Sequence, residues 1–202
     1  MQDSENKSSA DRREFFRLND SVAIDFRQLQ SDELETVRAR IHSDQPDRFS
    51  VAAKFATSSR TMDMQLRTIS KSSPTIAAFL KEVDKKMNIL AGLMAVEELT
   101  GIDCPSRPVN LSAGGVAFFS ANPFNRDDML EVRLVLFPTQ IGIRFIGRVV
   151  SSTTDLKDEG EQPYYISVEM DTIRDSDRDL LVKHLLHKQT VELHEQRFPD
   201  EV

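Results

Sequence analysis

Several residue types are scarce in this sequence, and each scarcity excludes a class of protein. There is one cysteine, Cys104, which excludes an intramolecular disulfide and suits a reducing cytoplasm. No run of about 18 apolar residues occurs, so no membrane insertion is predicted. Residues 1–10 are polar and lack the apolar core of a signal peptide. We therefore predict a disordered tail over residues 1–10 and a cytoplasmic location.

Positive charge is also in deficit. The formal net charge is −7, and phosphate backbones are bound by clustered cations, so DNA is not a predicted partner. Against this background, Arg12, Arg13 and Arg17 form a local cluster near the start of the chain. Such a cluster favours a small anion over a polyanion.

No arrangement typical of catalysis or metal binding is present. The sequence has no Ser-His-Asp order, no P-loop and no dinucleotide-binding glycine fingerprint. His184, His187 and His194 follow one another in the last predicted helix, but no cysteine or acidic set completes a metal motif. We predict a solvated or capping role for these histidines, no cofactor, no metal and no enzymatic activity.

Two separated motifs are the most informative features. The first, Asp-Arg-Arg-Glu-Phe-Phe-Arg at 11–17, offers planar guanidinium groups that suit phosphate oxygens and aromatic bases. The second, Val-Asn-Leu-Ser-Ala-Gly-Gly at 109–115, combines short polar side chains with glycine, which permits a tight turn and close approach of a ligand. Strand-like sequence follows both motifs.

These motifs resemble those of the PilZ domain family, which carries Arg-x-x-x-Arg and then Asp/Asn-x-Ser-x-x-Gly. Arg13 and Arg17 fit the first motif, and Asn110, Ser112 and Gly115 fit the second. The resemblance covers about residues 11–29 and 104–190. It implies a small β-barrel closed by a C-terminal helix, and cyclic di-GMP as the ligand.

The resemblance also implies roles for individual residues. Arg13 and Arg17 would bind phosphates and guanine edges, Asn110 would contact a guanine edge, Ser112 would hydrogen-bond nearby, and Gly115 would leave room for the ligand. In the family, the residue before Arg-x-x-x-Arg helps to set stoichiometry. Arg12 in that position is similar to members that bind an intercalated ligand dimer.

Simpler interpretations stand beside these roles. The three arginines are also compatible with a solvated arm that forms salt bridges to Asp11, Glu14 and Asp20. The segment from Asn110 is also compatible with an ordinary turn. Arg148 suits either the ligand pocket or an outward position on a barrel strand. The presence of both motifs favours the ligand-binding interpretation.

Hydrophobic periodicity predicts the elements of the barrel. Residues 18–29 alternate, with Val22, Ile24 and Phe26 on one face, and alternation resumes after Cys104 in several short strands. A helix is predicted from about residue 175. The predicted fold is α+β: a PilZ-like antiparallel barrel, residues 11–29 and 104–195, with a C-terminal helix.

Residues 30–103 interrupt this pattern and are predicted to be a helical insertion. Helices are predicted at about 49–70 and 74–99, with Ser73 as the N-cap and Pro74 in the first turn. The second helix carries a heptad stripe typical of coiled coils. Two interpretations compete: an antiparallel long-helix hairpin that buries this stripe internally, and a homo-oligomer, dimer or tetramer. We favour self-association, because one hairpin covers only part of so wide a face.

The sequence therefore predicts a cyclic di-GMP receptor that acts on an unidentified downstream protein when its arginine arm becomes ordered over the ligand. The alternative is an oligomeric scaffold or adaptor that keeps the barrel and does not use the ligand.

Overall fold

A computed structural model describes residues 17–43, 49–100, 106–154 and 162–197 of the chain. The described residues form strands β1 (Arg17–Gln28), β2 (Arg107–Ser112), β3 (Gly115–Ser120), β4 (Met129–Leu136), β5 (Ile141–Thr154) and β6 (Tyr164–Ile173). They form helices α1 (Leu34–His42), α2 (Val51–Ser72), α3 (Pro74–Thr100) and α4 (Asp175–Arg197). The predicted α+β class is confirmed. The predicted tail at residues 1–10, the arm at 11–16 and Cys104 lie outside the described residues.

The six strands form a closed antiparallel barrel in the order β1-β2-β3-β6-β5-β4. β1 pairs with β2, so Arg17 lies opposite Ser112 and Asn19 lies opposite Asn110. The two strands are thus neighbours although the helical insertion separates them in sequence. Closure leaves every strand paired on both sides, so the described barrel has no open edge.

The barrel interior is filled by alternate residues of all six strands. Val22 and Ile24 of β1 are buried there with Phe118 of β3 and Phe145 of β5. Helix α4 closes one end by burying Leu181 and Leu185 in the same cluster. Each buried leucine contributes about 1.5–3 kcal/mol relative to an exposed one. The predicted covering helix is therefore confirmed.

Helix α1 packs against the outside of the barrel. Val37 and Ile41 are buried against Ile146, which faces outward from β5. Arg174, between β6 and α4, donates hydrogen bonds to the carbonyl oxygens of Ile41 and Ser43 at 2.7 and 2.8 Å. These bonds satisfy carbonyl groups at the end of α1 that no helical N–H reaches.

Helices α2 and α3 form an antiparallel hairpin joined by Ser73 alone. Ser73 leaves the helical conformation, at φ −147° and ψ 77°, and Pro74 is the first residue of α3. Proline suits this position because it lacks only an N–H that has no helical partner there. The predicted hairpin is confirmed, with ends within a few residues of those expected.

The base of the hairpin packs on β1 and β4. Ala91 and Ala95 of α3 are buried with Ala23 of β1 and Val135 of β4. The small side chains allow the helix to approach the barrel closely. Ala23 points away from the barrel interior and is buried beneath the insertion.

Further along the hairpin, a polar cluster joins the two helices. Ser59 donates to Asp84 Oδ1 at 2.7 Å, and Asn88 Nδ2 donates to Ser59 Oγ and Asp84 Oδ2, both at 3.1 Å. Buried polar groups need hydrogen-bond partners, and a shift of one helix along the other would separate these three side chains. This cluster therefore favours one register of α2 against α3.

Large apolar side chains of α3 remain exposed in the single chain. Phe79 is 69% exposed, and Leu90 is 63% exposed. Ile76, Val83, Ile89 and Leu93 are also exposed. No helix in the described part of the chain is both long enough and apolar enough to cross a membrane.

Candidate functional site

A groove of about 550 Å³ lies on the outer surface of β3 and β6. Its volume falls within the range of about 300–1,000 Å³ typical of small-molecule sites. β2 and β5 contribute to its sides, and the first turns of α4 contribute to its edge. We call it the β3–β6 groove. Its polar lining includes Arg17, Asn110, Ser112, Ser167, Glu169 and Arg178.

The turn between β2 and β3 is held by hydrogen bonds from three sides. Ser112 Oγ donates to the Gly115 carbonyl at 3.1 Å, and the Met170 N–H donates to the Gly114 carbonyl at 2.8 Å. Arg178 Nη1 donates to the Ala113 carbonyl at 3.0 Å. Ser112 is 5% exposed. Its hydroxyl therefore shapes the turn that carries the groove.

Gly115 is required by the barrel as well as by the groove. A Cβ atom at this position would lie 2.4 Å from the Val168 carbonyl oxygen of β6. Such an approach forces the backbone to move, so a side chain here would disturb β3–β6 pairing. The absence of a side chain also leaves bare backbone on the groove floor.

Arg17 lies at the start of β1 and its side chain is exposed to solvent. It lines the β3–β6 groove opposite Ser112. Within residues 17–43, 49–100, 106–154 and 162–197, no acidic side chain forms an ion pair with it. Toward those residues, the donors of its guanidinium therefore remain available to a ligand in the groove. Arg12 and Arg13 lie outside the described residues.

Asn110 is on β2, one strand from Arg17. Its Nδ2 donates to Asn19 Oδ1 of β1 at 2.8 Å. This bond orients the carboxamide at the edge of the groove, which Asn110 lines. The structure therefore brings together Arg17, Asn110, Ser112 and Gly115.

Arg148 is an outward residue of β5 at the border of the groove. Its Nη2 lies 2.6 Å from Glu169 Oε2, and its Nη1 lies 3.3 Å from Asp127 Oδ1. Glu169 itself lines the groove. Arg148 is thus one side chain away from the lining, paired with two carboxylates.

Sequence reasoning did not single out Arg178 or Glu169 as site residues. Arg178 belongs to the first turns of α4, which pack against the β2–β3 turn. Glu169 faces outward on β6, opposite Gly115 in the register of the strands. Alternation along β6 indicates that Glu169 faces outward, but only barrel closure places β6 beside β3.

A buried ionic cluster lies where β1 meets α4. The Asp20 side chain is 0% exposed, and its Oδ2 is 2.5 Å from His184 Nε2. Its Oδ1 is 2.7 Å from Lys188 Nζ and accepts a hydrogen bond from the Ser21 N–H at 2.9 Å. The predicted solvated or capping role of His184 is therefore wrong, because the packing of α4 on the barrel buries it against Asp20. Asp20 is likewise engaged by α4, whereas the arm interpretation assigned it to arginines.

The pKa of Asp20 reflects two opposing effects. Burial acts to raise it, because a desolvated carboxylate is costly. Hydrogen bonds from His184, Lys188 and the Ser21 N–H outweigh burial and hold the pKa below its ordinary value of 3.8. Asp20 is therefore ionised at neutral pH, and the cluster attaches the strand that carries Arg17 to α4.

Metal-binding groups do not cluster in the part of the chain that the structure describes. Among those residues, no three or more His, Cys, Asp or Glu side chains are arranged to hold a metal ion.

Comparison with known families identifies the barrel. Residues 94–187 match the family model described as the PilZ domain. The barrel is PilZ-like. The matched segment begins within α3 and runs through β2–β6 into α4, and β1 closes the PilZ barrel from outside this segment. No curated protein matches the sequence.

One solved structure shares the fold over most of the chain. A pathogenic protein from Xanthomonas campestris, described as a tetrameric PilZ domain self-assembled via a helical bundle, aligns with 14% identity and a TM-score of 0.50. The alignment covers 88% of this chain and 91% of that one. An inhibitor of motility from Bacillus subtilis aligns with 21% identity and a TM-score of 0.37, covering 42% of each chain.

Proposed function

We propose that this protein is a cyclic di-GMP receptor that binds the ligand in the β3–β6 groove. The observation that carries the proposal is the convergence of Arg17, Asn110, Ser112 and Gly115 on one groove of the PilZ barrel. Arginine forms charge-assisted bidentate hydrogen bonds with phosphate and stacks on purine bases. Arg178 adds a second cation at the edge of the groove.

The arm at residues 11–16 completes the proposed site. It leads directly into Arg17, so Arg12 and Arg13 lie within a few residues of the groove along the chain. We propose that the arm closes over bound ligand and that closure creates a surface for a downstream protein in the cytoplasm. Ligand binding shifts such an equilibrium only through contacts made in the closed state, and Arg12 and Arg13 would supply them.

Calorimetric titration with cyclic di-GMP tests this function. We expect saturable binding, with a ratio near two ligands per chain if Arg12 supports an intercalated ligand dimer. The Arg12→Leu variant is then expected to bind one ligand per chain. Folded wild-type protein that binds no cyclic di-GMP would contradict the receptor function and favour the scaffold alternative.

We further propose that residues 30–103 form an oligomerisation unit and that residues 11–29 with 104–195 form the receptor unit. Two observations on α2 and α3 support this. Phe79 and Leu90 are largely exposed, and an apolar groove of about 340 Å³ lies between the helices, lined by Met62, Leu66 and Met87 among others. Exposed apolar surface of this kind marks interfaces.

A second copy of the chain is the proposed occupant of this apolar surface. The protein of similar fold from Xanthomonas campestris is described as assembling via a helical bundle. The hairpin packs on β1 and β4, whereas the groove lies over β3 and β6, on the other side of the six-strand ring. Assembly and ligand binding therefore use different faces of the barrel.

Replacing both Phe79 and Leu90 with serine is expected to dissociate the oligomer. Each side chain contributes about 1.5–3 kcal/mol when buried, and symmetry repeats the loss in every subunit. We expect the dissociation constant, measured by sedimentation, to rise by about 100-fold or more. Lys81→Ser with Lys85→Ser, on a different face of α3, is the matched control.

Titration of the same variants with cyclic di-GMP tests whether the oligomerisation unit and the receptor unit act independently. The Phe79→Ser, Leu90→Ser protein is expected to keep its affinity for cyclic di-GMP, because its substitutions lie away from the groove. An unchanged oligomeric state in this variant would refute the role of the α3 face.

A further inference from the structure

Glu169 introduces negative charge into a groove that otherwise suits an anion. Its side chain is 55% exposed on β6 and lines the groove with Arg17 and Arg178. A carboxylate in this position repels phosphate unless its charge is balanced. A role for Glu169 in ligand binding therefore requires that its negative charge be balanced.

The charge of Glu169 is balanced by Arg148. Oε2 of the carboxylate lies 2.6 Å from Arg148 Nη2, and Arg148 is also held by Asp127. Among the described residues, Oε1 of Glu169 forms no hydrogen bond. The pair thus keeps the carboxylate in place and offsets its charge. It leaves Oε1, and a second lone pair on Oε2, available to a ligand.

The surroundings of Glu169 suit a flat, polar ligand edge. Gly115 is its direct neighbour on β3 and presents only backbone. Further along β6 on the same face lies Ser167, which also lines the groove. A planar base can therefore approach the Glu169 carboxylate without meeting a side chain at Gly115.

We propose that Glu169 is a specificity-determining residue that selects guanine over adenine, an inference that rests on the proposed function. An ionised carboxylate only accepts hydrogen bonds. The Watson–Crick edge of guanine presents two adjacent donors, N1–H and the N2 amino group. The same edge of adenine presents a donor beside an acceptor. Guanine satisfies both carboxylate oxygens, whereas adenine places a lone pair against one of them.

Arg148 acts as a positioning residue in this arrangement. Its ion pair holds the Glu169 carboxylate on the outer face of the barrel and reduces repulsion of the ligand phosphates. A plain surface ion pair would contribute little to stability and nothing to the choice of base. The ratio of affinities for two cyclic dinucleotides distinguishes these roles.

The test is titration of wild-type and Glu169→Gln protein with cyclic di-GMP and with cyclic di-AMP. A carboxamide presents an acceptor and a donor, which match the Watson–Crick edge of adenine. We expect Glu169→Gln to lower the guanine-to-adenine affinity ratio by about 10- to 100-fold, the range of one bidentate base contact. Glu35→Gln is the matched control, since Glu35 is also paired with an arginine, Arg38, on α1.

The possible results separate this inference from the proposed function. Wild-type protein that binds cyclic di-GMP, with the same affinity ratio in Glu169→Gln, would overturn the role of Glu169 and leave the receptor function intact. Wild-type protein that binds neither ligand would overturn both. A reduced ratio in Glu169→Gln, with an unchanged ratio in Glu35→Gln, establishes the inference.

Discussion

Replacing Arg17 with alanine is expected to weaken cyclic di-GMP binding by about 100-fold or more. Hydrogen bonds to charged groups contribute about 1.5–3 kcal/mol each, and arginine forms two of them with one phosphate. Each 1.4 kcal/mol corresponds to about tenfold in affinity. Because Arg17 is exposed and has no acidic partner among the described residues, its loss should leave the barrel stable. Calorimetry measures the binding, and circular dichroism checks the fold.

The control for this experiment is Arg67→Ala. Arg67 is exposed on α2, away from the groove, and its removal changes the net charge by the same amount. It is expected to leave the affinity unchanged. Arg13→Ala is expected to abolish binding as well, because the closed arm would bring this residue to the same phosphates. Folded Arg17→Ala protein with wild-type affinity would refute the placement of the ligand in the β3–β6 groove.

Asn110→Ala is the better probe of the second motif. Asn110 is partly exposed on β2, so its truncation is expected to weaken binding with little loss of stability. Gly115→Ala is less informative, because a Cβ atom 2.4 Å from the Val168 carbonyl disturbs the barrel itself. A loss of binding in that variant would not distinguish a blocked groove from a disturbed barrel.

Asp20→Asn is expected to lower the free energy of unfolding by about 3 kcal/mol at neutral pH. Removing the carboxylate from this buried site leaves its hydrogen-bond partners without an acceptor of equal strength. Here His184 and Lys188 would both lose the carboxylate that they contact at 2.5 and 2.7 Å. Urea unfolding at one fixed protein concentration measures the change, since oligomerisation makes stability depend on concentration.

Asp25→Asn is the matched control, because Asp25 lies on the same strand and pairs with Arg133. Its side chain is 43% exposed, so the expected loss is below about 1 kcal/mol. Equal effects of the two substitutions would show that burial of Asp20 does not strengthen its contribution.

The effect of Asp20 on stability is also expected to depend on pH. Its pKa is depressed in the folded protein, so its contribution is present above the ordinary value of 3.8 and is lost as pH falls through the folded pKa. The stability difference between wild-type protein and Asp20→Asn should therefore shrink below about pH 4. A difference that stays constant down to pH 2 would contradict the assigned pKa direction.

Local patterns were sufficient to predict most of the elements. Alternation in residues 18–29 predicted β1, and the heptad spacing with Ser73-Pro74 predicted α3, because side-chain periodicity and proline geometry act within a few residues. The two motifs also indicated the PilZ barrel, because their residue types and spacing can be recognised in the sequence alone. The domain boundaries remain predictions. So do the ligand roles of all the site residues: Arg12, Arg13, Arg17, Asn110, Ser112, Gly115 and Arg148.

Contacts between distant segments could not be predicted in this way. Asp20 and His184 are separated by 164 positions, so nothing in the local sequence of either residue indicates the other. Alternation along β1 indicated that Val22, Ile24 and Phe26 share one face, and the same rule applied to Asp20 would have suggested burial. Its partners on α4 depend on how the helix crosses the barrel end.

The sequence by itself determined the strands, the helical hairpin and the two motifs at 11–17 and 109–115, because each depends on short-range spacing. Tertiary structure alone decided that Glu169 and Arg178 join Arg17 at one groove, and that Gly115 must remain bare against Val168. It also decided that the hairpin and the groove occupy different sides of the barrel. Barrel closure is the physical reason, because it determines which strands are neighbours and which strands lie on opposite sides of the barrel.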